Sequence, residues 1–428
     1  MKYSCISCGY GSASWYGRCP QCAEWNTIKE EFVENKKGKN ESVRKIEFSS
    51  LSKIKTIDKN RILTDYPELN KALGGGLVAG EVVLMSGEPG VGKSTLLLKS
   101  LQNLKVLYVS GEESGMQIKE RADRLGVKPA NFFFTDEVMV ESILSSLESV
   151  RDNFEILVID SIQTIYSNTV ESGSGSVSQI RETAMKITDF AKKNNLPTII
   201  IGHINKDGDI AGPKILEHLV DAVLHMEGEK NSNFRVLRIK KNRFGPTDEI
   251  GLFEMKNEGL IEVSDPTVFL DNSTSDKTVG KAISAVIEGN RPLFFEVQTL
   301  VVPSFLAMPR RVVKGVDFNK VQLILAVLRK NLGLQLDKYD IFVNVVGGID
   351  IKSTSSDMAV AASIISSIKN ISIPDKTVFS GEIGLLGEIR KNYFTEKIEK
   401  ECKRFGFKNI YSAKNTSSIK ELNLALSK

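Results

Sequence analysis

The stretch Gly87-Glu88-Pro89-Gly90-Val91-Gly92-Lys93-Ser94, followed by Thr95, limits what this chain can fold into more than any other. It satisfies GxxxxGK[ST] in full, behind an apolar strand pattern at Glu81–Ser86. Glycines at these places let backbone N–H groups face phosphates, and the N-terminus of the following helix favours their negative charge. Lys93 is placed to reach the β- and γ-phosphates, and the Ser94 hydroxyl to bind Mg²⁺. The motif predicts a site for ATP or GTP, set in a strand–loop–helix unit.

Apolar runs at Lys105–Ser110, Glu155–Asp160, Pro197–Gly202 and Phe234–Ile239 read as further strands. Gln179–Lys192 carries Ile180, Ala184, Ile187 and Ala191 at helical spacing. Such alternation predicts a mostly parallel sheet flanked by helices, an α/β fold. The strand Ile156-Leu157-Val158-Ile159 ends in Asp160, where a Walker-B carboxylate meets the metal's water shell. Glu112 and Glu113 follow another strand on the same edge. Glu112 is the first candidate for the group that polarises the attacking water, and Glu113 the second. His203, at the end of the next strand, fits a γ-phosphate sensor and a structural histidine equally well. Ser167–Ser178 and Asn205–Pro213 read as moving loops able to touch a polymer. Lys230–Gly245 holds six basic residues and no acid, with Lys240, Lys241, Arg243 and Phe244 crowding a turn. Such a strand is either a solvated basic face or a carrier of cations for phosphates.

Cys5, Cys8, Cys19 and Cys22 make two CxxC turns within the first 22 residues, and only Cys402 lies elsewhere. A reducing compartment disfavours disulfides. Four soft thiolates with no open position suit structural Zn²⁺, with a redox dithiol as the rival. Residues 1–30 therefore read as a metal knuckle that Trp15 and Trp25 are expected to cover, and residues 31–60 as a polar linker. The net charge, 57 basic against 53 acidic residues, is too mild to prove a nucleic-acid partner. No apolar run approaches the ~20 residues of a spanning helix, and MKYSCISCGY lacks a signal-peptide core, so a cytoplasmic protein with no membrane partner is expected.

Residues 61–264 form the predicted nucleotide domain and residues 265–428 a second α/β or α+β domain. The second contains strand patterns at Ala282–Ile287, Leu293–Val302 and Ile341–Val346. Its helices are expected at Asn319–Leu332, Ser356–Ile368 and Thr395–Phe405. Physics alone leaves its function open.

Taken together, the cysteine knuckle with WYGRCPQC, Leu73-Gly74-Gly75-Gly76-Leu77, GEPGVGKST, Ile210-Ala211-Gly212-Pro213-Lys214, Lys241-Asn242-Arg243-Phe244-Gly245 and Pro309–Val321 resemble the RadA (Sms) family of bacterial DNA-repair proteins. The resemblance covers nearly the whole chain. It implies a RecA-like ATPase core using ATP and Mg²⁺, a Zn²⁺ knuckle, and a C-terminal domain with the Lon protease fold. It further implies binding of single-stranded and branched DNA, branch migration with the RecA recombinase, and a homo-oligomer, a hexameric ring. Lys241 and Arg243 are then expected to act between subunits. Lon proteases use a Ser within GPSAG and a downstream Lys. Here Ser355-Ser356-Asp357-Met358-Ala359 puts Asp357 at the nucleophile's place and Gly387 at the lysine's, which implies a scaffold without proteolysis. The alternatives are an ATP-dependent protease, which lacks that pair, and a KaiC-like signalling ATPase, against which the knuckle and the basic turn argue.

Overall fold

The computed structural model describes residues 2–5, 7, 11–12, 14–31, 50, 61–203, 213–228, 233–270, 278–348, 350–391 and 393–427. They fall into two compact units, one within Met1–Asp58 and one within Lys59–Lys428. The first holds β1 (Lys2–Cys5), β2 (Gly11–Ser12) and β3 (Ile28–Glu31), an antiparallel sheet in the order β2-β1-β3. Its small core is Cys5, Cys19 and Ile28, with Tyr3 and Cys22 against them.

The second unit opens with α1 (Pro67–Ala72), β4 (Val82–Gly87), α2 (Lys93–Ser100), β5 (Val106–Ser110), α3 (Gly115–Arg124), β6 (Phe132–Thr135) and α4 (Val140–Val150). It continues with β7 (Ile156–Asp160), α5 (Val177–Asn194), β8 (Thr198–His203), α6 (Pro213–Leu219), β9 (Ala222–Glu227), β10 (Phe234–Asn242), β11 (Ile250–Lys256) and β12 (Gly259–Glu262). These strands form one sheet, ordered β12-β11-β10-β9-β4-β8-β7-β5-β6. From β9 to β6 every neighbour is parallel, while β10, β11 and β12 return antiparallel. Every residue of β4 and β7 is buried because helices cover both faces, which is why these strands read as unbroken apolar runs. One apolar layer joins α1, α2 and α3 to the sheet, and another joins α4 and α5 to its opposite face. Local signals start the helices: Ser114 and Gln117 form a capping box, and Ser176 caps α5.

Beyond these come β13 (Lys281–Glu288), β14 (Arg291–Pro303), β15 (Arg311–Lys314), α7 (Phe318–Leu332), β16 (Tyr339–Val345), α8 (Asp357–Lys369) and β17 (Thr377–Ser380). The last elements are β18 (Glu382–Ile383), β19 (Ile389–Arg390), α9 (Thr395–Arg404), β20 (Asn409–Ser412) and α10 (Ile419–Leu426). A mixed six-stranded sheet runs β15-β16-β14-β13-β17-β20, with α8 wholly buried over residues 357–366. Its core is continuous with Val236, Ile250 and Leu252 of the first sheet. Arg238 adds a polar tie, 2.7 Å from Glu227 and 2.6 Å from Glu288.

Candidate functional site

Parallel register brings the carboxyl ends of four strands into one row. Gly87 of β4 lies beside His203 of β8, and Ser110 of β5 beside Asp160 of β7. The P-loop leaves β4 at one end of this row. Gly92, the N-cap of α2, has φ +112°, and Gly87 has φ +153° with room for no side chain, since a Cβ there would lie 2.6 Å from the Met226 carbonyl.

Within this row the side chains form one connected set. The Ser94 hydroxyl donates to Asp160 Oδ2 at 2.7 Å, and Tyr108 donates to the same oxygen at 2.5 Å. Lys93 Nζ donates to the carbonyls of Gly87 (2.8 Å) and Glu88 (3.0 Å) and lies 3.1 Å from His203 Nδ1. An ammonium can only donate, so Nδ1 accepts, and the Nε2–H of His203 faces Glu112 Oε2 at 3.2 Å. Ser161 also donates to Glu112. The bond from His203 holds the Glu112 carboxyl below its ordinary range, helped by Ser161 and Lys93 against partial burial. Burial pushes the Lys93 ammonium down to about 8, opposed by Asp160 and Glu112. Tyr108 is raised well above its ordinary value by burial and by Asp160, so it stays a hydroxyl donor. Glu112, Asp160 and His203 each offer an atom within 4.8 Å of the others.

Glu113 turns away, bonded to Arg121, so of the two acids only Glu112 faces the P-loop lysine through His203. Neither Tyr108 nor Ser161 was foreseen; their signal is position alone, one on β5 facing Asp160 and one directly after β7. Ser167–Ser178 differs from the expected moving part. Gln179, 1% exposed, bonds the backbone of Ser167, Val170 and Ser172, and Lys186 with Glu141 closes the same turn. Of the second loop, residues 204–212 lie outside the described residues.

Lys241 and Arg243 do not join this row. In the antiparallel β10, Lys241 pairs with Val223 and Asn242 with Ala222, at the sheet edge opposite Gly87. Lys241 Nζ donates to the carbonyls of Glu217 (2.6 Å) and Val220 (2.8 Å), and Arg243 lies 3.2 Å from Asp221. A basic solvated face is also not what β10 presents. Arg235 is buried and Arg238 nearly so, while Lys240 points to solvent. The basic turn meets Leu73–Leu77: Arg61 donates to the carbonyls of Leu73, Gly76 and Phe244, and a Cβ on Gly74 would lie 2.9 Å from Gly245 Cα.

In the N-terminal unit the Sγ atoms of Cys5, Cys19 and Cys22 gather within 4.8 Å, a thiolate set that fits a tetrahedral ion; Cys8 lies outside the described residues. Trp15 and Trp25 do not cover it, being 59% and 69% exposed, because Trp15 Nε1 is drawn to the Ile28 carbonyl and Trp25 lies under Arg18. At the first residue of α8, Asp357 is 2% exposed, its Oδ2 bonded to Lys320 (2.9 Å) and Ile383 N–H (3.1 Å). Gly387 has φ +89° beside Asn331.

A family model described as a rubredoxin metal binding domain matches residues 3–30, and one described as an AAA domain matches residues 49–209. DNA repair protein RadA of Aquifex aeolicus (strain VF5) is 45% identical over 420 residues, 96% of this chain and 93% of that protein. The chain belongs to the RadA family of DNA repair proteins. The RadA proteins of Listeria monocytogenes and Bacillus subtilis (strain 168) are 43% and 42% identical, covering 97% and 96% of this chain and 92% and 91% of their own lengths. The crystal structure of the RadB recombinase aligns with 46% of this chain and 97% of its own at 25% identity and a TM-score of 0.38. This RadA family member thus joins an N-terminal zinc-ribbon fold to a RecA-like ATPase core. Among the described residues no helix is long and apolar enough to cross a membrane.

Proposed function

We propose that this RadA family member is a DNA-dependent ATPase of recombinational repair. It binds single-stranded DNA, translocates on it with ATP, and drives branch migration together with RecA. The observation that carries the reading is the convergence of Lys93, Ser94, Glu112, Asp160 and His203 on one edge of a parallel sheet. Residues 87–95 cradle the phosphates, and Lys93 leaves the Gly87 and Glu88 carbonyls for the β- and γ-phosphates. That move releases His203 Nδ1 from the lysine while the Nε2–H keeps Glu112 aimed. Glu112, ionised at neutral pH, orients and deprotonates the attacking water. Ser94 and Asp160 are the residues that would hold Mg²⁺, which supplies charge neutralisation at the phosphates. Cys5, Cys8, Cys19 and Cys22 would hold Zn²⁺ as a structural staple for residues 1–30. Residues 61–264 are the motor, and residues 265–428 a Lon-like scaffold without proteolysis, since Asp357 pairs with Lys320 where a nucleophile would stand.

Lys241 and Arg243 sit too far from their own chain's P-loop to serve it, which supports service to a neighbour in a hexameric ring. The test is ATP hydrolysis with and without single-stranded DNA at rising salt. DNA should stimulate turnover, and salt should remove the stimulation as counterion release weakens. Co-assembled mixtures of Lys241→Ala and Lys93→Ala chains should regain hydrolysis at interfaces with one intact half from each. Absence of DNA stimulation at low salt would overturn the DNA-dependent reading, and silent mixed rings the between-subunit one.

A further inference from the structure

Arg235 stands apart from the other cations of β10. It is 7% exposed, and its Nε donates to the Val91 carbonyl at 3.0 Å, inside the P-loop itself. Its Nη1 donates to the Phe234 carbonyl at 2.7 Å, which fixes the guanidinium plane from the other side. The fit is close on the remaining flank too: a Cβ on Gly228 would lie 2.3 Å from Arg235 Cδ, so only glycine leaves room there. Register explains the reach. Val236 pairs with Glu227, and Met226 with Gly87, so Arg235 comes to the sheet edge from which the P-loop departs.

In a trans peptide the C=O and the following N–H point in opposite directions. Whatever holds the Val91 carbonyl therefore also aims the N–H of Gly92. Gly92, at φ +112°, is the residue most able to let that peptide swing, since glycine meets little steric resistance there. An anion-binding loop works by having its N–H groups already turned inward before the phosphates arrive.

We propose that Arg235 is a positioning residue of the nucleotide site: by holding the Val91 carbonyl it locks the Val91–Gly92 peptide with the Gly92 N–H turned to the phosphates. It touches no substrate atom and acts only through the loop. The proposal rests on the reading of residues 87–95 as the ATP cradle.

Side-chain geometry supplies the test. In glutamine the amide nitrogen stands the same number of bonds from Cα as Nε does in arginine, so Arg235→Gln keeps a donor for Val91 and loses the charge. Arg235→Lys keeps the charge and puts a methylene at that point; Arg235→Met puts a methyl there. In the full-length protein, ADP affinity by calorimetry and kcat and KM for ATP would be measured beside thermal melts. Loss of one oriented donor should raise the ADP Kd and the ATP KM about tenfold in Arg235→Met and Arg235→Lys, with kcat nearly unchanged. Arg235→Gln should stay near wild type. A role in packing or charge alone would instead rank the variants by melting temperature and leave KM unmoved in the folded fraction. Should Arg235→Met not fold, Gln against Lys still decides: equal ADP affinities in those two overturn the proposal. Hydrolysis by wild type and its loss in Lys93→Ala test the underlying cradle reading separately.

Discussion

Replacing Asp357 by asparagine should stabilise the protein at neutral pH, and should do so less in acid. Burial pushes this carboxyl from 3.8 up to about 6, against the opposing bonds from Lys320 and the Ile383 N–H. A group with a raised folded pKa binds its proton more tightly in the native state. Unfolding free energy therefore falls as pH climbs from the unfolded value towards 6, and levels off above it. At 1.36 kcal/mol per unit, holding Asp357 ionised costs about 3 kcal/mol above pH 7, and about 1.4 of that is added between pH 5 and 7.5. Asparagine keeps an acceptor for Ile383 and the same shape. Lys320, its side chain 28% exposed, can turn to water once its partner is neutral. The lost ion pair trims the gain, so about 1–2 kcal/mol should remain at pH 7.5. Both tryptophans lie at positions 15 and 25, so urea melts should be followed by circular dichroism of the helices rather than by tryptophan emission. A variant less stable than wild type at pH 7.5, or one with the same stability difference at both pH values, would refute the argument.

Two further outcomes are expected. Glu112→Gln should cut hydrolysis about 10²–10⁴-fold while ATP binding stays, because the amide still meets His203 but takes no proton; near-normal turnover would move the base elsewhere. Cys19→Ser should release the zinc, measured by metal analysis, and unfold residues 1–30 while ATP hydrolysis continues; full metal content would reject the assigned ligand set.

How far the sequence could be read depended on whether a residue's role was local. The P-loop, β4, β5, β7 and β8 were legible because doubly covered parallel strands must be apolar throughout and their ends must carry the chemistry. The strand β9 escaped notice because His225 and Glu227 interrupt its apolar run, yet it supports β4 on one side and β10 on the other. The hairpin of β11 and β12 was missed as well, its polar residues belonging to a sheet edge rather than to a loop. Spacing also gave no means to sort the cations of β10. Arg235, Arg238 and Lys241 have the same charge and three unrelated tasks, and only the antiparallel return of the strand sends one to the P-loop edge and another to the far edge. Tyr108 shows the same limit, since a tyrosine on a buried strand predicts a partner without naming Asp160.

The contact of Gly74 with Gly245 ties two distant parts of the gene together. A Cβ on either glycine would fall within 2.9 Å of the other's Cα, so no side chain at one position can be accommodated by a change at the other. Variation at these sites is therefore not correlated but jointly forbidden, and comparison of related sequences should find two silent columns where the two segments touch. Trimming has a matching consequence. A chain begun at Val82 would keep every residue of the phosphate cradle, yet would strip the basic turn of Arg61 and of the glycine it rests on. Such a fragment should still hold nucleotide while its far edge, the part that would face a neighbour, loses its shape.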